Sequence, residues 1–137
     1  MLISCVAYQN GQKIADIPPE DISEYVRRPD CFVWVALFEP SNAELDEMAD
    51  EFGLHELAVD DARRGHQRPK IEEYGDELFA ALHTFEHEKG PDGSDELHTG
   101  EVDIFVGPNY VLTVRHRTHV GFAAVRARSE REPALLR

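Results

Sequence analysis

Apolar residues along this chain fall into short runs whose period changes several times, and each change marks an expected element. LISCVAY (2–8) is an apolar run followed by NGQ, a tight-turn signal, and then KIADI (13–17), so a hairpin is predicted there. CFVWVALF (31–38) is apolar on both faces, the pattern of a central strand covered from two sides. RPKIEEYGDELFAALHTFEH (68–87) reads as two strands around a turn at Tyr74-Gly75-Asp76. GEVDIFV (100–106) alternates, with Val102, Ile104 and Val106 on one face, and Gly107-Pro108-Asn109 turns it into YVLTVRH (110–116). Between these hairpins, EKGPDGSDE (88–96) has the composition of a flexible loop.

Helical spacing fills the remaining segments. PPEDISEYVRR (18–28) opens with prolines and acids, which suits the first turn of a short helix. Ser41 and Glu44 form a capping-box pair, Leu45, Met48, Ala49 and Phe52 follow at helical spacing, and Gly53 is the stop. HELAVDDARRG (55–65) is a second helix ended by Gly65. Its Leu54, Leu57, Ala58, Asp61 and Ala62 fall on the spacing of a core-facing stripe, so Asp61 is expected on that face or at its edge. Asp60 points about 100° away, between Glu56 and Arg64. HVGFAAVRARSEREPALLR (119–137) is helical in pattern and stops without a C-cap glycine, as a helix cut short at Arg137 would. Strands and helices interleave unevenly, which predicts an α/β (α+β) fold: one mixed β-sheet with helices packed on both faces.

Composition narrows the function. The chain has 137 residues, 42% of them hydrophobic, enough for one domain with a real core. Its 27 acids against 14 bases give a net charge of −13, which argues against nucleic-acid binding. Cys5 and Cys31 lie in apolar runs without Cys-x-x-Cys spacing, so buried free thiols are expected. Neither a signal peptide nor an apolar run of roughly 20 residues is visible, so the chain reads as soluble.

Candidate chemistry centres on the helix over 55–64. A carboxylate on an apolar face must be hydrogen-bonded, ion-paired, metal-bound or set at an interface. For Asp61 the simplest expectation is a local salt bridge to Arg63, Arg64 or Arg68. His66, between a helix stop and a strand start, is expected to fix the turn. His83 and His87 share a strand face at a distance, weak grounds for a zinc site, and His116 and His119 are expected to be solvated. No nucleophile-elbow, His-Glu-x-x-His or phosphate-loop motif occurs, and an enzyme is not expected.

One block is more specific. HELAVDDARRGHQRPKIEEY (55–74) resembles a segment of CorA-type divalent-cation channels, in which a Gly-x-His-x-Leu-x-x-Glu-Asp helix precedes His-Gln-Arg-Pro-Lys. Gly53, His55, Leu57, Asp60 and Asp61 fill the first part; His66, Gln67, Arg68, Pro69 and Lys70 fill the second. The flanks, CFVWVALFEPSNAELDEMADEFGL and EVDIFVGPNYVLTVRH, are similar as well. The resemblance implies a single N-terminal cytoplasmic domain over 1–137, with a long C-terminal helix starting near 120 and the transmembrane helices beyond it. It implies a homo-oligomer, pentameric when intact and integral to the membrane, that moves Mg2+ or Co2+. It also implies that Asp60 and Asp61 bind a divalent cation weakly at a subunit interface, with Asp61 the stronger member because Asp60 stands where the motif has Glu. The alternatives are a zinc transporter of the ZntB type, binding Zn2+, and a free-standing cytosolic metal-responsive protein.

Overall fold

Asn10 and Gly11 both take positive φ, 52° and 82°. That twist suits a two-residue hairpin turn, so β1 (Leu2–Gln9) folds back antiparallel on β2 (Gln12–Asp16). The computed structural model describes residues 1–65, 67–118 and 123–132. His66, His119 and both ends of the expected tail helix lie outside them.

After β2 a 3-10 turn over Pro19–Asp21 runs into α1 (Ile22–Val26), the short helix expected behind the prolines. β3 (Cys31–Phe38) follows. The capping box forms at α2 (Asn42–Phe52): the Glu44 backbone N–H donates to the Ser41 side chain, Glu44 accepts from the Ser41 backbone, and Gly53 closes the helix left-handed. α3 (Glu56–Arg64) is capped by His55, whose Nδ1 accepts from Leu57 N at 3.2 Å. Then come β4 (Lys70–Tyr74), β5 (Glu77–Lys89), β6 (Asp95–Gly107), β7 (Tyr110–His116) and α4 (Ala123–Arg131). β5 and β6 reach further than composition predicted, so the loop expected over 88–96 shrinks to residues 90–94.

The strands form one seven-stranded sheet in the order β2-β1-β3-β7-β6-β5-β4. Among the described residues only β3 and β7 pair in parallel, which makes the sheet mixed, as expected. Helices lie on both faces, unequally. On one face Val33, Val35, Leu37, Leu112, Val114, Phe79 and Phe105 pack against Ile22 of α1, Leu45, Met48 and Phe52 of α2, and Ala58, Val59 and Ala62 of α3. On the other, Val6 and Tyr8 pack with Phe32 and Trp34, and Tyr8 Oη donates to Glu130 of α4 at 2.8 Å. β3 is therefore covered from two sides, with its odd positions fully buried and its even positions half-buried. Cys5 and Cys31 are free and buried; burial pushes the Cys5 thiol up to about 12, which keeps it unreactive.

The β6–β7 hairpin sets the register that matters most. Gly107 pairs with Tyr110, and from there Glu101 falls opposite His116 and Asp103 opposite Val114. A Cβ on Gly107 would lie 2.1 Å from the nearest atom of the Tyr110 ring, which itself stacks on Phe52 at 4.3 Å. Gly107→Ala is predicted to cost about 1–3 kcal/mol by overpacking, a fall in Tm of roughly 4 °C or more by calorimetry. Combined with Tyr110→Leu the loss should be less than additive. An additive pair would show that the ring is not what excludes the methyl group.

Candidate functional site

α3 lies along the sheet's terminal strand, β4, and is tied to it at two points. The His55 ring stacks on Tyr74 at 4.1 Å, and Asp61 Oδ2 accepts from Lys70 Nζ at 2.6 Å. Lys70 also pairs with Glu72 Oε1 at 2.7 Å, and the Tyr74 hydroxyl donates to Glu72. Asp61 and then Glu72 hold the Lys70 ammonium well above its ordinary pKa, while Lys70 holds Glu72 below its own. The partner of Asp61 is thus Lys70, and not Arg63, Arg64 or Arg68; Arg63 turns instead to Asp46 of α2 at 2.7 Å. Strand pleating decides this, because Lys70, Glu72 and Tyr74 share the face beneath α3.

The core stripe expected on α3 is also displaced. Ala58, Val59 and Ala62 are buried, whereas Leu57 is 60% exposed. At the sheet's last strand no described residue covers that flank of the helix. The Asp61 side chain, 18% exposed, sits on the margin of the buried face, and Asp60 is half-buried beside it.

A second cluster, which the sequence pattern did not single out, lies under the other end of α3. Glu101 and Asp103 of β6 are both 0% exposed, and His116 of β7 has a side chain only 12% exposed. One ligating atom from each lies within 4.8 Å of the other two. Glu101 Oε1 accepts from Gln67 N at 2.7 Å. Glu101 Oε2 and both Asp103 carboxylate oxygens are buried without a hydrogen-bond partner among the described residues. His116 Nε2 donates to Ala62 O of α3 at 2.8 Å and lies 3.6 Å from Asp103 Oδ2. His116 is therefore not the solvated residue expected from its place at a strand end. The register of β7 swings it under α3. His83, across β5 from Glu101, bonds Gln67 O at 2.6 Å rather than joining a site with His87.

Two carboxylates this close and this dry cannot both stay ionised without a cation or a proton between them. Burial, reinforced by Glu101, pushes the Asp103 carboxyl up to about 7, against the opposing pull of His116. Asp103 in turn raises His116 above its ordinary value, against the penalty of burial. Both groups bind protons more tightly folded than unfolded. The stability they support is complete below their unfolded pKa values and is lost as pH rises through the folded ones. With a chelator present, Tm is expected to fall between about pH 5 and pH 8, by roughly 5 °C or more. Asp103→Asn, whose amide can donate where the protonated carboxyl does, should flatten that fall and raise Tm at the alkaline end. A profile that Asp103→Asn leaves unchanged would place the titration elsewhere.

A family model described as CorA-like Mg2+ transporter protein matches residues 30–135. The chain is 34% identical to Bacillus subtilis (strain 168) YfjQ over 115 residues, covering 83% of this chain and 34% of that protein. Among solved structures, full-length CmaX superposes with a TM-score of 0.70 at 19% identity, covering 95% of this chain and 39% of that one. The complete CorA magnesium transporter of Methanocaldococcus jannaschii gives 0.59 at 16% identity, covering 96% and 38%. At those identities the structures establish the shared α+β architecture. The chain spans about a third of the length of YfjQ. With the family match extending over more than half its residues, this chain belongs to the CorA-like Mg2+ transporter family.

Proposed function

We propose that this chain is the cytoplasmic, metal-sensing part of a homo-oligomeric CorA-type transporter, with Asp60 and Asp61 supplying half of a divalent-cation site that a neighbouring subunit completes. The observation that carries the reading is the placement of Asp61. Its carboxylate stands at the margin of the α3–β4 rim, paired with the Lys70 ammonium, at a sheet edge where Leu57 of α3 and, on the opposite face of β4, Ile71 are 60% and 68% exposed. An apolar rim with an acid at its border suits a subunit contact.

Mg2+ is held through one or two carboxylates while it keeps most of its waters, so a two-aspartate half-site is sufficient on each subunit. Carboxylates brought together from two subunits repel without the ion and are bridged by it, which makes the ion a bias on subunit packing. The all-oxygen donor set favours Mg2+ over Zn2+, with Co2+ as a second candidate. No helix among the described residues is long and apolar enough to cross a membrane. Ion passage is assigned to the portion of the longer relatives that this chain does not span, in a pentamer at the cytoplasmic side of the membrane.

The test uses the native gene product that carries this chain, digested by a protease over a Mg2+ series. Mg2+ is expected to protect the α3–β4 rim, and Asp61→Ala to abolish that protection. Lys70→Met removes the competing ammonium and should move the protection midpoint to roughly 3–5-fold lower Mg2+, the worth of a partly exposed pair. Protection that survives Asp61→Ala would sink the assignment.

A further inference from the structure

We propose that Glu101, Asp103 and His116 form a second divalent-cation site, inside the subunit, for a borderline ion such as Zn2+ or Co2+ rather than Mg2+. It shares no residue with the α3 half-site and stands or falls independently of it.

The three donors converge from two adjacent strands, within 4.8 Å of one another. Ligands at about 2.0–2.2 Å from a four-coordinate ion lie roughly 3.4 Å apart, so modest side-chain rotation closes the set. Three of the four carboxylate oxygens are buried with no hydrogen-bond partner among the described residues. Lone pairs left so in a buried interior are costly, and a bound cation would satisfy them. The fourth oxygen, Glu101 Oε1, is fixed by Gln67 N, which orients the carboxylate and leaves Oε2 for the ion.

The donor set selects the metal. An imidazole nitrogen with two carboxylates suits Zn2+ and Co2+, whereas Mg2+ demands oxygen ligands and keeps several waters, for which a site between two fully buried acids has little room. An open cleft of about 430 Å³ lies beside the cluster, lined in part by Gln67, which bonds Glu101, and by Gly100 and Arg117, the chain neighbours of Glu101 and His116.

Ligation has a structural consequence. His116 Nε2 now carries the hydrogen that it donates to Ala62 O. As a ligand the same nitrogen must be bare, with its proton on Nδ1, so binding exchanges the tie to α3 for a bond to the metal.

The experiment takes the chelator-stripped protein and titrates it with Zn2+ and Co2+ alone, and with Mg2+ alone as the contrast. One equivalent of Zn2+ per chain is expected to bind. At 100-fold excess over its dissociation constant, Tm should rise by roughly 5 °C or more. Mg2+ should give less than a tenth of the affinity. His116→Gln, whose amide can still donate to Ala62 O, should weaken Zn2+ by at least tenfold, while Asp61→Asn should leave it unchanged. In the unsubstituted protein, paramagnetic Co2+ should shift or broaden the amide resonances of Glu101, Asp103 and His116 before those of Asp60 and Asp61, so the test does not depend on a variant folding. Absence of any Zn2+ or Co2+ response, with the acids sharing a proton only, would overturn the site. So would a response that Asp61→Asn removes and His116→Gln does not.

Discussion

Two carboxylates sealed under a helix, with three of their four oxygens buried and without a hydrogen-bond partner among the described residues, are the constraint around which this fold is arranged. The acids can occupy their positions because β6 and β7 are locked in one register by a turn with no slack. Gly107 leaves space for the Tyr110 ring, the ring stacks on Phe52, and the hairpin is thereby held against α2. A slip of one residue would turn Glu101 and Asp103 to the opposite face and bring Val102 under α3. Packing at the turn thus maintains an electrostatic arrangement at the far end of the same two strands.

The helices above the sheet are attached by different forces. α2 buries Leu45, Met48 and Phe52, each worth about 1.5–3 kcal/mol, an attachment insensitive to charge. α3 buries only Ala58, Val59 and Ala62, much less apolar surface. Its position relies more on polar ties: His55 on Tyr74, Lys70 to Asp61, and His116 to Ala62 O, with Glu101 holding Gln67 just beyond its end. A partly exposed ion pair contributes about 0.2–1 kcal/mol and an ordinary hydrogen bond about 0.5–1.5 kcal/mol, so together these ties rival the small side chains beneath them. Each also depends on a group whose charge state or bonding can change. α2 is the fixed helix of the layer, and α3 is the one that can respond.

Much of this was legible in the sequence where the cause is local. Ser41 with Glu44, Asn10-Gly11 and Gly53 act within a few residues, and each does in the structure what its chemistry predicts. What escaped is tertiary. The alternation in GEVDIFV was followed through its valines, yet the face under the helices is the one bearing Glu101, Asp103 and Phe105, while Ile104 and Val106 on the other are only half-buried. Counting outward from a two-residue turn at Pro108-Asn109 sets Glu101 opposite His116, and that was the available signal. Leu57 was misplaced because a helix over the last strand has nothing beneath its outer flank. Asp61 found Lys70 instead of a nearby arginine because strand pairing, invisible in helix spacing, delivers a lysine to that spot.

The route out of the cluster toward α4 completes the picture. Arg117, directly after His116, takes φ 57°, and Glu39 takes φ 45°, conformations that cost non-glycine residues about 1–3 kcal/mol and persist only when their surroundings fix them. Here the surroundings do so: Arg117 N donates to Glu39 Oε1 at 2.6 Å, Glu39 N to Arg115 O at 2.9 Å, and His98 Nε2 to Arg117 O at 3.0 Å. The chain therefore leaves β7 in a direction set by strained and well-bonded backbone, and α4 packs through Glu130 on the face opposite α3. The dry acid–histidine cluster stands where the end of α3, the end of β7 and this exit meet. An ion bound there as proposed would act on α3 through the His116–Ala62 hydrogen bond and would sit one residue from the bonded backbone of Arg117.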